Sequence, residues 1–268
     1  RYVIGIDVLA ASHVSIRRVR LRGFSLSPGI VTVRSSFDVE IASSLIHASC
    51  TQSTELPADI ASFQITGISV DDTRVRETGS RNVTLRNNVI ADLRMVPLTT
   101  RQEQSDGINF AAVGTGAGST IVDNDISGVD EGIDLFGRGI VVRGNRVAAH
   151  SVALKLIHGA REIVAVDNQL TPGPNGRAIG LFGAAPEQAQ RQVRDVRIER
   201  NVMDLSAGSR AGVHVDADRS YSPQAIELRQ NVFIVRDCKQ VAMACTKSQC
   251  TTSGNRTLSS QTRAACPE

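Results

Sequence analysis

The sequence predicts an all-β solenoid, a chain wound in about eight stacked coils of short strands over residues 1–235, followed by a Cys-rich tail or cap over 236–268. Three observations predict it. Short apolar runs recur along most of the 268 residues. The breaks between them are tiny: Ile133–Phe136 and Ile140–Val142 are separated by little more than Gly137-Arg138-Gly139. Two different strand signatures also take turns along the chain, and no stretch between them reads as a helix.

The first signature aligns without gaps in six segments: "VTLRNNVI" at 83, "TIVDNDI" at 120, "VVRGNRV" at 141, "VAVDNQL" at 164, "RIERNVM" at 197 and "ELRQNVF" at 227. Each is a short alternating pattern that runs into Asn, one further residue, then an apolar one. The shared residues are Asn88, Asn124, Asn145, Asn168, Asn201 and Asn231. "VSIRRVRL" at 14 fits the frame without the Asn. The second signature is "GIDV" at 5, "GISV" at 67, "GINF" at 107, "GIDL" at 132, "ALKL" at 153, "AIGL" at 178 and "GVHV" at 212, with "SFDV" at 36 as a looser member. Successive members start 31, 31, 40, 25, 21, 25 and 34 residues apart. Strand cores that stay alike while spacing varies mark coils with insertions at their corners. No coil buries its apolar face alone, so stacking neighbours makes the core.

This alternation resembles the right-handed parallel β-helix of the pectate-lyase-like superfamily, over roughly residues 3 to 235. On that resemblance the Asn residues stack at one corner as a structural ladder bonded from coil to coil. Leucine-rich repeats are excluded because L-x-x-L-x-L does not recur, and a sandwich because hairpin dipeptides are absent at matching spacing. End coils of a solenoid expose apolar faces and unpaired edges. The tail is expected to cap one end, and the bare look of the other suggests a missing upstream segment.

Composition agrees. The chain is 41% hydrophobic but only 3% aromatic, with no Trp, so Val, Ile, Leu and Ala must fill thin, repetitive layers. A net charge of +3 identifies no partner, and nothing points to nucleic acid. Apart from Lys155, Lys239 and Lys247 the basic residues are Arg. No apolar stretch approaches the ~18 residues of a membrane span. Four of the five cysteines, Cys238, Cys245, Cys250 and Cys266, fall in the tail, which reads as a disulfide-stapled segment of a secreted or cell-surface protein. The sequence does not choose among their three pairings, and Cys50 is left over. Asn82 and Asn255 open N-x-T sequons, which matter only in a eukaryotic secretory pathway.

In the second signature the third residue of each four points outward between two buried ones. Down the stack this gives Asp7, Asp38 in the looser member, Ser69, Asn109, Asp134, Lys155, Gly180 and His214. Adjacent coils lie about 4.8 Å apart, so Asn109, Asp134 and Lys155 line one face. The approach to these strands adds Asp106, Asp130, Glu131 and Arg177; the exit adds His158 and Asp216.

That face reads as a polysaccharide groove, with Asp106, Asp130, Glu131, Asp134 and Lys155 as its catalytic set and Asn109, His158, Arg177, His214 and Asp216 as substrate contacts. Hydrolysis needs one protonated and one ionised carboxyl group, and crowded acids raise at least one pKa. β-Elimination on a uronate needs a base and a neutralising cation. Lys155 suits the base, and Asp106, Asn109, Glu131 and Asp134 supply oxygens for Ca²⁺.

Polygalacturonases of the superfamily carry Asn-Thr-Asp-Gly, then Asp-Asp one coil later, then Gly-His-Gly and Arg-x-Lys. "SDGINF" resembles the first through Asp106-Gly107, and "VDEGIDLF" the second through Asp130-Glu131. The third is only approximated, by His150 and by His158 in "IHG", and no Arg-x-Lys follows. The resemblance implies an extracellular enzyme cleaving glycosidic bonds as a hydrolase or uronate lyase. A non-catalytic carbohydrate-binding or adhesive β-helix of phage-fibre or cell-surface type, and a uronate epimerase, are the alternatives.

Overall fold

A computed structural model describes residues 4–24, 27, 29–48, 62–71, 79–93, 102–112, 115–184, 191–216, 221–240, 242–245 and 249–266. These residues form 25 strands, and among them there is no α-helix and so none long and apolar enough to cross a membrane. The neighbouring strands pair in parallel, rung upon rung, as a right-handed β-helix. One coil serves for all. Val141–Arg143 lies in the second sheet, and the chain turns at Gly144-Asn145. It then runs as the long bent strand Arg146–Leu156 across the first sheet, and turns through 157–160 into Arg161–Val166, the next rung of the second sheet.

The alternating pattern dictates this winding because each coil has one apolar column per sheet and nothing of its own to pack it against. In the second sheet Ile41, Leu85, Ile121, Val142, Ala165, Ile198 and Leu228 stand in register, and all are fully buried. In the first, Ile68, Ile108, Ile133, Leu154, Ile179 and Val213 do the same. Each large aliphatic removed from water contributes about 1.5–3 kcal/mol, and the columns merge into one core running from Val8 to Cys250.

The corner between the sheets depends on backbone sign as much as on Asn. The residue before each ladder Asn takes a left-handed conformation, with φ from 52 to 67° at Asn87, Asp123, Gly144, Asp167, Arg200 and Gln230. Asn, Asp and Gly tolerate that region best. The turn aims each Asn side chain inward. Oδ1 of Asn145 accepts from the backbone N–H and Nδ2 of Asn124 at 3.0 and 2.9 Å, while Asn145 Nδ2 donates to Asn168 Oδ1 at 3.0 Å and to the Ile121 carbonyl at 2.8 Å. The same bonds repeat from Asn88 to Asn231.

The structure adds to and corrects the sequence reading at three places. The ladder runs one rung further, to Asn255, which accepts from Asn231 at 2.9 and 3.0 Å; "GNRT" at 254 repeats "GNRV" at 144. It begins at Ser44, whose N–H donates to Asn88. The tail therefore adds rungs of its own. Met243–Ala244, Cys250–Ser253 and Arg256–Ser259 stack on the last coil, and the second sheet has nine strands. Asp38 does not belong to the outward column of the first sheet. Its strand, Phe37–Ala42, lies in the second sheet, and Thr32 stands between Asp7 and Ser69. A four-residue alternating motif looks the same on either sheet, and only its partners decide.

One tail disulfide forms, Cys238–Cys266, while Cys245 and Cys250 are thiols hydrogen-bonded to each other. Cys50 lies outside the described residues. At the other end, the first coil leaves Ile6, Val14, Ile16, Leu21 and Phe24 only partly covered.

Candidate functional site

Three consecutive coils build a polar cluster on the outer side of the first sheet. The strands Gln102–Phe110, Asp125–Leu135 and Arg146–Leu156 pair so that Asp106 meets Glu131, and Asn109, Asp134 and Lys155 share one column. Side chains three apart on a regular strand point to opposite faces. Here the pairing passes from Asp106↔Glu131 to Ile108↔Ile133 without a rung at Gly107 and Gly132. Those glycines are needed for space: a Cβ at 107 would stand 2.4 Å from Ile126 Cγ2, and one at 132 would stand 2.2 Å from Val147 Cγ1. The kink brings Asp106 back to Asn109, whose Nδ2 donates to Asp106 Oδ2 at 2.9 Å.

Carboxylate oxygens of Asp106, Glu131 and Asp134 all lie within 4.8 Å of one another. Lys155 Nζ donates to Glu131 Oε2 at 2.8 Å and to Asp134 Oδ2 at 3.2 Å. Gln104 Nε2 bridges Glu131 Oε2 at 2.8 Å and Asp106 Oδ1 at 3.1 Å. Asp106 and Asp134 are at most 1% exposed, whereas the side chains of Glu131 and Lys155 keep 14% and 15%. Water therefore reaches the cluster along Glu131 and Lys155. Two buried acceptor atoms, Asp134 Oδ1 and Asn109 Oδ1, have no hydrogen-bond partner. Buried polar atoms are rarely left so, and sites of chemistry are among the places where they are.

Burial pushes the Asp134 carboxyl well above its usual range. Lys155 opposes the rise, and Asp106 and Glu131 add to it. Burial by itself would lower Lys155, but Asp134, Glu131 and Asp106 outweigh it and hold the ammonium above the ordinary lysine range. Lys155 makes its shorter contact, at 2.8 Å, with Glu131, and Asp134 is the carboxyl of the cluster whose ionisation burial opposes. Two oxygens of this cluster, Glu131 Oε2 and Asp134 Oδ2, already meet a cation, the Lys155 ammonium. A calcium ion needs six to eight oxygens at about 2.3–2.6 Å, so with Lys155 in place the set does not fit Ca²⁺.

Asp130 sits beside this group. Its Oδ2 accepts from Ser105 Oγ at 3.0 Å, and its N–H donates to the same oxygen at 2.9 Å. His158, Arg177, His214 and Asp216 lie further along the sheet, around an apolar shelf. Phe136, Ile157 and Phe182 each follow a fully buried Leu by one residue, so alternation turns them outward, and all three are half-exposed. His158 meets the Phe136 ring edge-on at 4.7 Å between centroids. Arg177 Cζ stands 5.9 Å from the Phe182 centroid, and His214 is 6.3 Å from the same ring. Asp216 Oδ2 accepts from the Gly183 N–H at 3.4 Å. Gln104 and the Phe shelf were missed in the sequence. A Phe two places after the outward column was the available signal.

A concavity of about 700 Å³ lies elsewhere, on the second sheet between Glu162, Arg197, Glu227 and Thr251. Its charged groups are solvated surface pairs such as Arg197–Glu199 at 3.6 Å. Convergent buried acids are the stronger mark of chemistry.

No protein-family model matches the chain, and no curated protein matches it. Solved structures do. The tailspike of Escherichia coli bacteriophage HK620, a variant determined in complex with a pentasaccharide, superposes with a TM-score of 0.59 at 12% identity, over 92% of this chain and 43% of its own. The tailspike gp49 of Acinetobacter baumannii bacteriophage Fri1, a capsular polysaccharide depolymerase, gives 0.55 at 10% identity, over 95% and 52%. PfbA, a surface adhesin of Streptococcus pneumoniae, gives 0.55 at 12% identity, over 94% and 61%. The chain thus spans about half the length of these proteins and shares their fold.

Proposed function

We propose that the chain is the polysaccharide-cleaving β-helix of an extracellular or surface-associated enzyme, and that the cleavage is hydrolysis of a glycosidic bond. The observation that carries this is the division of labour within one cluster. Three carboxyl groups from neighbouring coils stand within 4.8 Å, one of them pushed toward its protonated form by burial and another paired with an ammonium. Glycoside hydrolysis asks for that pair: an acid to protonate the leaving oxygen and an ionised partner on the other side of the bond. Asp134 takes the acid role and Glu131 the ionised one. Lys155, Gln104 and Asn109 orient the carboxylates, and Asp106 adds the charge that keeps the proton on Asp134. The close spacing favours retention of configuration. Inverting enzymes hold their carboxyls about 6.5–9.5 Å apart to admit a water, and retaining ones about 5–5.5 Å.

Elimination and epimerisation are less well supported, because the acids around Lys155 keep it protonated and so disfavour it as the base that abstracts the proton. Two of the structural relatives are tailspikes, one solved with a bound pentasaccharide and one a capsular depolymerase, which supports a saccharide partner. The adhesin relative, together with the near-complete burial of Asp106 and Asp134, favours the second reading, a carbohydrate-binding β-helix without catalysis.

The test is incubation with a panel of capsular, O-antigen and plant polysaccharides, followed by reducing-end assay, ultraviolet absorbance and product mass. Hydrolysis gives new reducing ends with no unsaturated product. Wild-type cleavage that survives in both Glu131→Gln and Asp134→Asn would place the chemistry elsewhere, and binding without cleavage would establish the second reading.

A further inference from the structure

This inference rests on reading the outer face of the first sheet as a saccharide groove, and it concerns the charge of the sugar. Arg177 stands in the column of Glu131, two rungs further on, with Val152 between them. At about 4.8 Å per rung, its backbone is roughly 10 Å from that of Glu131, close enough for one chain of sugars to touch both. The Phe182 ring lies beneath the guanidinium and directly over Gly180. A Cβ at 180 would stand 2.7 Å from Phe182 Cε2, so the ring occupies that rung only because Gly180 has no side chain.

Arg177 is charged and incompletely bonded. Its Nε is buried without an acceptor, and among the described residues no carboxylate lies within ion-pair distance of Arg177 or of Arg210. Arg210 precedes Ala211, the rung opposite Arg177, and its N–H donates to the Gly176 carbonyl at 2.8 Å, so the two arginines flank one spot. Burial, and after it Arg210, disfavours the Arg177 charge, with Asp216 partly offsetting them. A second anion there would relieve both. The groove is thus bipolar, with an acid-rich end at Glu131 and a cationic end at Arg177. A planar guanidinium recognises a carboxylate through two parallel bonds, while the ring beside it suits the C–H face of the same sugar.

We propose that Arg177, laid on Phe182 and reinforced by Arg210, is an anion subsite that takes the carboxylate of an acidic sugar unit, so that the polymer held in this groove is an acidic polysaccharide.

The experiment is binding of the full chain to an array of acidic and neutral capsular and O-antigen polysaccharides, with polygalacturonate, alginate and hyaluronan oligomers, each acidic member paired with its carboxyl-reduced form. Binding is expected only to acidic members, at least tenfold weaker after carboxyl reduction, and weakening with salt. Arg177→Gln should lose tenfold or more. Arg177→Lys, which keeps charge without the planar fork, should fall between. Gly180→Ala should lose affinity by displacing Phe182 while leaving Arg177 intact. Thermal unfolding confirms that each variant is folded, and Arg177→Lys serves if Arg177→Gln is not. Equal binding of acidic and carboxyl-reduced forms, or indifference to both Arg177 variants, overturns the proposal. The two readings fail separately. Acidic glycans bound through Arg177 but never cleaved would sink hydrolysis alone. A neutral glycan cleaved by wild type, spared by Asp134→Asn and unaffected by Arg177→Gln would sink the anion subsite alone. Binding of no saccharide at all would sink both.

Discussion

Two columns of buried polar side chains run along this solenoid, and they differ in one respect. In the Asn ladder every amide is used, and from Asn124 to Asn231 Oδ1 accepts twice from the coil before while Nδ2 donates to the coil after and to a backbone carbonyl. In the acid cluster the books do not close, because Asp134 Oδ1 and Asn109 Oδ1 are buried without partners and two of its three carboxyls share one ammonium. A fully satisfied buried network rigidifies a fold, whereas an incompletely satisfied one is costly and persists where something else uses it. Repetition marks scaffold and imbalance marks function. Each prediction below tests one side of that contrast.

The largest effect is expected on cleavage. Glu131→Gln and Asp134→Asn should each lower the rate at least about 100-fold, the low end of what a positioned acid or base contributes, as measured by reducing-end release at saturating substrate. Both variants are near-isosteric and should remain folded: Asp134→Asn should be no less stable than wild type near neutrality, and Glu131→Gln should melt somewhat lower because it removes the carboxylate of the Lys155 ion pair. If catalysis survives while the melting point collapses, the cluster is scaffold and the contrast is false.

Next comes the ladder, where the effect should fall on stability. Asn145→Ala leaves the Asn124 N–H and Nδ2 without their acceptor and the Ile121 carbonyl without its donor. Each buried unsatisfied group costs about 1–3 kcal/mol, so urea unfolding should show a loss of about 3–5 kcal/mol. Asn255→Ala, at the last rung and half-exposed, should cost only about 1 kcal/mol on the same principle. Equal losses at the two positions would mean that the ladder does not act rung by rung.

Lys155→Met is smaller again. It takes the ammonium from Glu131 and Asp134 and should destabilise by about 2–3 kcal/mol at pH 7, below the 3–5 typical of a fully buried pair because Lys155 retains some water. A neutral or stabilising result would mean that the protein carries these acids without needing their counter-ion.

The ladder asparagines and the convergence of Asn109, Asp134 and Lys155 were legible in the sequence because both follow from aligning one strand signature with itself. The geometry around them was not. Asp38 went to the wrong sheet because a period of two is identical on both. Asn255 was hidden inside an N-x-T triplet in a tail that looked like a disulfide staple rather than another coil. Gln104 and the Phe182 shelf could not be read off at all. Gln104 acts through the kink at Gly107 and Gly132, and Phe182 lies over Gly180 because that residue offers no Cβ; both are matters of space that no alternation encodes.

The last prediction turns on the sign of one titration. Asp134 holds its proton well above the usual carboxyl range in the folded chain, chiefly through burial. Between the ordinary value of about 3.9 and that raised value, the native state keeps a proton that the unfolded state has lost. Stability must then fall as pH rises through this window. Asp134→Asn imitates the protonated form and removes the slope. Urea midpoints of wild type and variant should coincide near pH 4 and separate toward neutrality, with the variant gaining on the wild type as pH rises. The same proton supplies the acid for cleavage, so wild-type activity should persist through this window and fall only as pH rises through the raised value, where the stability difference between wild type and variant levels off. If the variant instead loses ground as pH rises, Asp134 is ionised in the folded chain, its pairing with Lys155 outweighs its burial, and the acid role passes to another carboxyl of the cluster.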